Sequence, residues 1–206
     1  MQHPRANLVS LAVCLAVLAA LGPAVSAVAQ DLHPSRRPSP MGMARTTLDD
    51  GTYVQIVYCR PYERGRDNIF GTKESEALVP YGEVWRTGAN EATTFTSTGN
   101  PTVAGQELAA GTYSFFTTPG PDEWTIHFNS ALGLSGTARY NPETDEFEPA
   151  YLPENDVLTA TVKATTLPEE EKVDQLTISF EDTEQGADMV LRWIRTEVRI
   201  PVTPAG

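Results

Sequence analysis

Positive charge, cysteine and histidine are all scarce in this chain, and each scarcity removes a class of function. Fifteen lysines and arginines stand against 27 aspartates and glutamates, a formal charge of −12 over 206 residues. Nucleic-acid phosphates need a basic patch, so a nucleic-acid partner is excluded. Two cysteines cannot frame a disulfide-rich scaffold or a cysteine-based zinc site. Three histidines are too few for a histidine-rich metal centre, and no metal or other cofactor is expected. No stretch sustains a 3.6-residue apolar period, so helix content is expected to be low. What is present is ordinary for a folded chain of one-domain length: 20% charged residues and 8% aromatic.

The longest uncharged apolar run, Leu8 to Leu21, lies behind a single Arg5 and is broken by Gly22-Pro23. Small residues Ala27 and Ala29 flank Val28 at the positions a signal peptidase reads. Residues 1–29 therefore read as a secretory signal peptide, and the protein as periplasmic or extracellular. The alternative is an uncleaved anchor. It would need about 20 apolar residues, so the run would have to continue through Gly-Pro. No stable membrane span is expected once the leader is cut. Cys14 sits inside the run with Val13 before it, unlike a lipoprotein cysteine. Loss of Arg5 with the leader makes the remainder more acidic still, a surface that repels anionic lipid. Cys59 is then the one remaining cysteine, and its place after an alternating run suggests a buried, inert thiol.

Residues 30–47 carry several prolines and no apolar periodicity, and read as a flexible arm; 203–206 read as a tail. Between them the signals are those of strands. Tyr53–Tyr58 and Thr93–Thr98 are rich in β-branched and aromatic residues. Gly111–Thr118 and Glu123–Phe128 flank a Pro-Gly-Pro-Asp cluster, as in a hairpin. Leu158, Ala160, Val162 and Ala164 share one face, as do Leu176, Ile178 and Phe180. Met189, Leu191 and Trp193 share another, and Val198, Ile200 and Val202 another, with a bend or bulge expected near Thr196. The fold class is all-β: an antiparallel β-sandwich or jelly-roll-like single domain with little helix, over residues 48–202.

Residues 58–93 do not reduce to strand or plain loop. Arg60, Arg64, Arg66 and Arg86 fall here, with Trp85 and several Tyr, Asn and Gly. Arginine holds a carboxylate or phosphate through two parallel hydrogen bonds, and a cluster of it in an acidic chain is informative. Tyr58, Arg60, Arg66, Trp85, Arg86, Asn90 and Glu91 are the ligand-binding candidates. The opposing reading is structural: arginines and acids pair with each other, the turns use Gly and Asn, and Trp85 plugs the core. His127 faces away from Trp124, Ile126 and Phe128 and has no nucleophile motif beside it. The acidic stretches 141–156 and 169–174 lack the ligand spacing of a calcium loop and read as solvated loops.

Several motifs together resemble the DUF2911 family: Arg60-Pro61, Gly65-Arg66, Ile69-Phe70-Gly71, Leu78-Val79-Pro80-Tyr81-Gly82 and Trp85 to Thr93. The likeness continues through Gly105, Leu108, Ala110 to Ser114, Phe116, Pro119-Gly120 and Glu123-Trp124, roughly residues 38–202. It implies an exported bacterial protein and carries over no catalytic residues. The acidic stretch Asn141 to Asn155 departs from the family pattern.

Two functional readings follow. The first is a non-enzymatic binding module that takes a small anionic or carbohydrate ligand, or a protein partner, through the segment 58–93. The second is a periplasmic hydrolase in which Glu91 is general acid or base, Asp67 its partner carboxylate, and the arginines hold a charged substrate.

Overall fold

The computed structural model describes residues 36–205. The leader with Cys14, the first residues of the arm and Gly206 lie outside the described residues. The chain forms β1 (Met41–Thr47), β2 (Tyr53–Cys59), β3 (Phe70–Gly71), β4 (Val79–Pro80), β5 (Thr93–Ser97), β6 (Thr102–Val103) and β7 (Gln106–Glu107). There follow β8 (Gly111–Thr118), β9 (Glu123–Asn129), β10 (Ala138–Asn141), β11 (Glu146–Pro149), β12 (Asp156–Thr166), β13 (Val173–Thr183), β14 (Gly186–Ile194) and β15 (Thr196–Thr203). Single 3-10 turns occur at Lys73–Ser75, Pro153–Asn155 and Glu169–Glu171. Among the described residues no helix is long and apolar enough to cross a membrane.

The fold is all-β. Nine strands form one antiparallel path, β1-β2-β5-β8-β9-β12-β15-β14-β13. The long β12 joins its two halves: Asp156 to Lys163 pair with β9, and Ala164 to Thr166 pair with β15. Strand alternation sends Phe95, Phe115, Ile126, Phe128, Met189 and Ile200 into the shared interior, where each is fully buried. Each such side chain contributes about 1.5–3 kcal/mol by leaving water.

The two ends of the path meet, and the residues that join them come from the end of β2. The Tyr58 hydroxyl accepts from the Ile178 N–H at 2.7 Å and donates to the Ile178 carbonyl at 3.1 Å. Arg60 donates from Nε to the Leu176 carbonyl at 3.1 Å and from Nη2 to Thr177 Oγ1 at 3.0 Å. Beyond it, the Leu176 N–H donates to the Pro61 carbonyl, and the Glu63 N–H to the Asp174 carbonyl. The outer edge of β13 is thus occupied from Asp174 to Ile178, which closes the path there into a barrel-like shape.

Several expectations are corrected. Residues 41–47 of the expected flexible arm form β1, paired with β2 along its whole length. Its inward positions are Gly42, Ala44 and Thr46, and its methionines face solvent, so it shows no apolar period. The bend expected near Thr196 is a full reversal: β14 and β15 are a hairpin, with Trp193 opposite Thr196 and Ile194 in the left-handed region at φ 48°. The acidic stretch is largely exposed as expected, but it runs through the β10–β11 hairpin, with Tyr140 opposite Phe147, and its last acid, Asp156, begins β12 with a nearly buried carboxylate. Thr203, placed in the tail, pairs with Thr102.

Tyr58→Phe is expected to lower unfolding stability by about 1–3 kcal/mol, the cost of leaving buried Ile178 groups unpaired. Urea denaturation checks this; an unchanged midpoint would show that the hydroxyl does not hold the edge.

Candidate functional site

After β2 the chain crosses one end of the barrel, and local contacts fix its course. Trp85 exchanges two backbone hydrogen bonds with Thr117 of β8, at 2.7 and 2.9 Å. The Ala89 N–H donates to the Cys59 carbonyl. Gly88 lies so close to β2 that a Cβ there would sit 2.8 Å from the Cys59 oxygen, so this approach requires glycine. Thr87 and Asn90 take left-handed backbone angles on either side, at φ 53° and 59°.

Beneath this crossing lies an aromatic plug. Trp85 stacks on Trp193 at 5.9 Å and 17°, and Phe70 packs edge-on against Trp85, Trp124 and Trp193. Trp85 is therefore a core residue, as the structural reading expected. It also forms, with Trp193, the floor of a pocket of about 210 Å³. Pro61, Leu78 and Val79 add apolar wall, and Ser39 and Tyr62 add hydroxyls. Three arginines line it, Arg64, Arg66 and Arg86, and among the described residues no carboxylate does.

These arginines differ from those of β14, β15 and the turn between them, and share with Arg36, Arg45 and Arg139 the absence of an ion pair among the described residues. Arg192 and Arg199 on β14 and β15 are bound into a network with Glu181, Asp188 and Glu197, and Arg195 pairs with Glu169. Among the described residues no ion pair includes Arg60, Arg64, Arg66 or Arg86. Arg64 donates to the Pro38 carbonyl at 2.7 Å, and Arg66 makes long bonds to the Tyr62 and Glu63 carbonyls. Arg86 is half-buried, and its Nε–H is buried with no hydrogen-bond partner among the described residues. Burial pulls its pKa below the usual arginine value, with the nearby Cys59 acting the other way. A guanidinium taken from water without a partner is unfavourable, and an incoming anion removes that cost.

The matching family model is Protein of unknown function (DUF2911), over residues 39–202. The chain belongs to the DUF2911 family. No curated protein and no solved structure matches it.

In this DUF2911 chain the sequence candidates fall into three groups. Arg66, Trp85 and Arg86 come together at the pocket. Tyr58 and Arg60 instead hold the edge of β13. Asn90 and Glu91 turn towards the arm: Asn90 donates to the Ser39 carbonyl, and Arg37 Nη1 sits 2.5 Å from Glu91 Oε1. Asp67 is exposed and, like Glu91, is not part of the pocket lining. Pocket residues absent from the sequence candidates are Ser39, Pro61, Tyr62, Arg64, Leu78, Val79 and Trp193, besides Gly88 and Ala89. Arg64 was within reach of sequence reading, since it shares the Arg-Gly-Arg turn with Arg66. Trp193 was not, because it arrives from β14.

Cys59 is buried, and its Sγ donates to Glu91 Oε2 at 3.5 Å. Burial pushes the thiol pKa up, with the Asn90 hydrogen bond opposing it, so thiolate is suppressed. Burial also pushes the Glu91 carboxyl up, but its bonds from Arg37, its own backbone and Cys59 outweigh that and leave it below the usual carboxylate value.

His127 lies on the outer face of β9, beneath the 131–155 excursion. Its Nε2 is 2.9 Å from Thr118 Oγ1, and its Nδ1 is 3.0 Å from Asp156 Oδ2. Tyr151 and Asn129 donate to the same carboxylate at 2.8 and 2.7 Å. Burial, with the Asp156 carboxylate, raises the Tyr151 pKa. These groups satisfy one another and clasp both ends of the excursion to the sheet.

Two outcomes follow. Arg86→Met keeps the apolar stem and removes the unpaired charge, so the melting temperature is expected to hold or rise; a fall of several degrees would show that Arg86 has a structural partner. Glu91 has a lowered folded pKa, so its contribution is present above the unfolded value and lost as pH falls through the folded one. The stability gap between the native chain and Glu91→Gln should therefore close from pH 7 towards pH 3, and a gap constant with pH would contradict this.

Proposed function

We propose that this protein is an exported, non-enzymatic binding module that holds a small anionic ligand in the pocket at the barrel mouth. One observation carries the reading. Arg86, half-buried and with no side-chain partner among the described residues, stands with Arg64 and Arg66 in a pocket that none of their carboxylates lines, inside a strongly acidic protein. Acids are abundant enough to pair every arginine, and the arginines of β14 and β15 are paired. A pocket lined by side-chain cations alone is complementary to an anion. The export follows from the leader read in residues 1–29.

The hydrolase reading draws no support from the placement of its two carboxylates. Glu91 is engaged with Arg37 and Cys59, and neither Glu91 nor Asp67 lines the pocket.

A calorimetric screen of small organic anions and neutral sugars tests the reading. Anion binding is expected, with a loss of about tenfold or more in Arg86→Met and a smaller loss in Arg66→Ala, at unchanged melting temperature. Anion affinity untouched by both substitutions would overturn it.

A further inference from the structure

Building on the anion-binding reading, the floor of the same pocket narrows the ligand class. The two indole N–H groups at the floor are already used. Trp85 Nε1 donates to the Gly88 carbonyl at 3.0 Å, and Trp193 Nε1 donates to the Asp174 carbonyl at 3.1 Å. Neither indole N–H is therefore free for a ligand, and Pro61, Leu78 and Val79 add apolar side chains to the lining. The cationic side chains Arg64, Arg66 and Arg86 share that lining. The pocket thus combines strong donors with apolar surface.

A sugar can lay its C–H face on an indole, but its neutral hydroxyls bring no charge to the three guanidinium groups. Inorganic phosphate would satisfy the arginines and leave the apolar part wet. The volume of about 210 Å³ equals the liquid share of about seven waters, and so suits a compact molecule.

We infer that the ligand is an amphiphilic organic acid: a carboxylate for the arginines, carried on a compact hydrocarbon or aromatic body that covers Trp85, Trp193 and Leu78. The inference stands on the anion-binding reading and adds the apolar body. The carboxylate accepts from Arg86, whose buried Nε–H has no partner among the described residues, and Arg64 and Arg66 add positive charge from the exposed turn. The body displaces water from the apolar floor.

Titration calorimetry on the full chain tests this with benzoate, cyclohexanecarboxylate, acetate, inorganic phosphate, neutral benzamide and glucose. Tryptophan emission gives a second readout, because Trp85 and Trp193 lie under the ligand. Benzoate and cyclohexanecarboxylate are expected to bind about tenfold or more tightly than acetate or phosphate, in line with the area they bury. Benzamide and glucose should bind more weakly than benzoate. Arg86→Met should weaken every anion. Leu78→Ser, at a half-exposed wall position where folding is insensitive, should weaken benzoate by about threefold and leave acetate unchanged.

Acetate or phosphate binding as tightly as benzoate, with loss in Arg86→Met, would overturn the amphiphilic ligand and leave the anion site standing. Benzamide binding as tightly as benzoate would overturn both, since charge would not be recognised. Absence of binding by every probe up to about 20 mM, far weaker than the millimolar affinity of minimal ligands, would likewise overturn both.

Discussion

The edge of β13 is where this fold has to be completed. A nine-strand path leaves two free edges, and a free edge is a line of unpaired backbone groups open to any other strand. Here Tyr58, Arg60, Pro61 and Glu63 cover that line from the end of β2, partly with side chains and partly with backbone. The chain is then committed. It leaves β2 at one end of the barrel and must cross that end to reach β5, with the aromatic plug of Phe70, Trp85, Trp124 and Trp193 beneath it. The crossing is consequently held over an apolar floor, and its arginines stand at the boundary between carbon and water.

Electrostatics at that boundary differ from those elsewhere on the molecule. On β14 and β15 the arginines share carboxylates at 2.5–3.4 Å, and the arrangement is self-sufficient. At the mouth the arginines have backbone carbonyls or nothing. Charge is more strongly felt where the surroundings are less polarisable, so a half-buried guanidinium attracts an anion more than a surface arginine does. The arm contributes to the same place. Pro38 and Ser39 are held by Arg64 and Asn90, and Arg37 by Glu91, and of these arm residues Ser39 lines the pocket. In this arrangement Glu91 tethers the arm two residues before it.

Alternation made much of the sheet legible. The faces of β12, β13 and β15 could be read directly because each buries one side, whereas β14 also buries Val190 on its other face. β1 could not, since an edge strand with Gly42, Ala44 and Thr46 inward has no apolar signal. Nor could the β10–β11 hairpin, whose two faces are both exposed. In segment 58–93 the composition drew notice to the right stretch but could not assign roles within it. Arg60 and Arg86 are the same residue type in the same segment, yet one bonds to β13 and the other has no partner. That difference depends on which distant strand lies alongside, and β13 is more than a hundred residues further along the chain. His127 shows the same limit, because its partners Asp156 and Tyr151 come from the far end of an excursion.

The most direct measurement is crystallographic: a crystal soaked in 4-bromobenzoate, with data collected at the bromine edge. If the mouth pocket is an anion site, the anomalous peak lies within it on the Leu78 side, and carboxylate density meets the guanidinium of Arg86. A pocket left empty at full soaking, or a bound ring with its carboxylate turned to solvent and Arg86 unengaged, would contradict the claim.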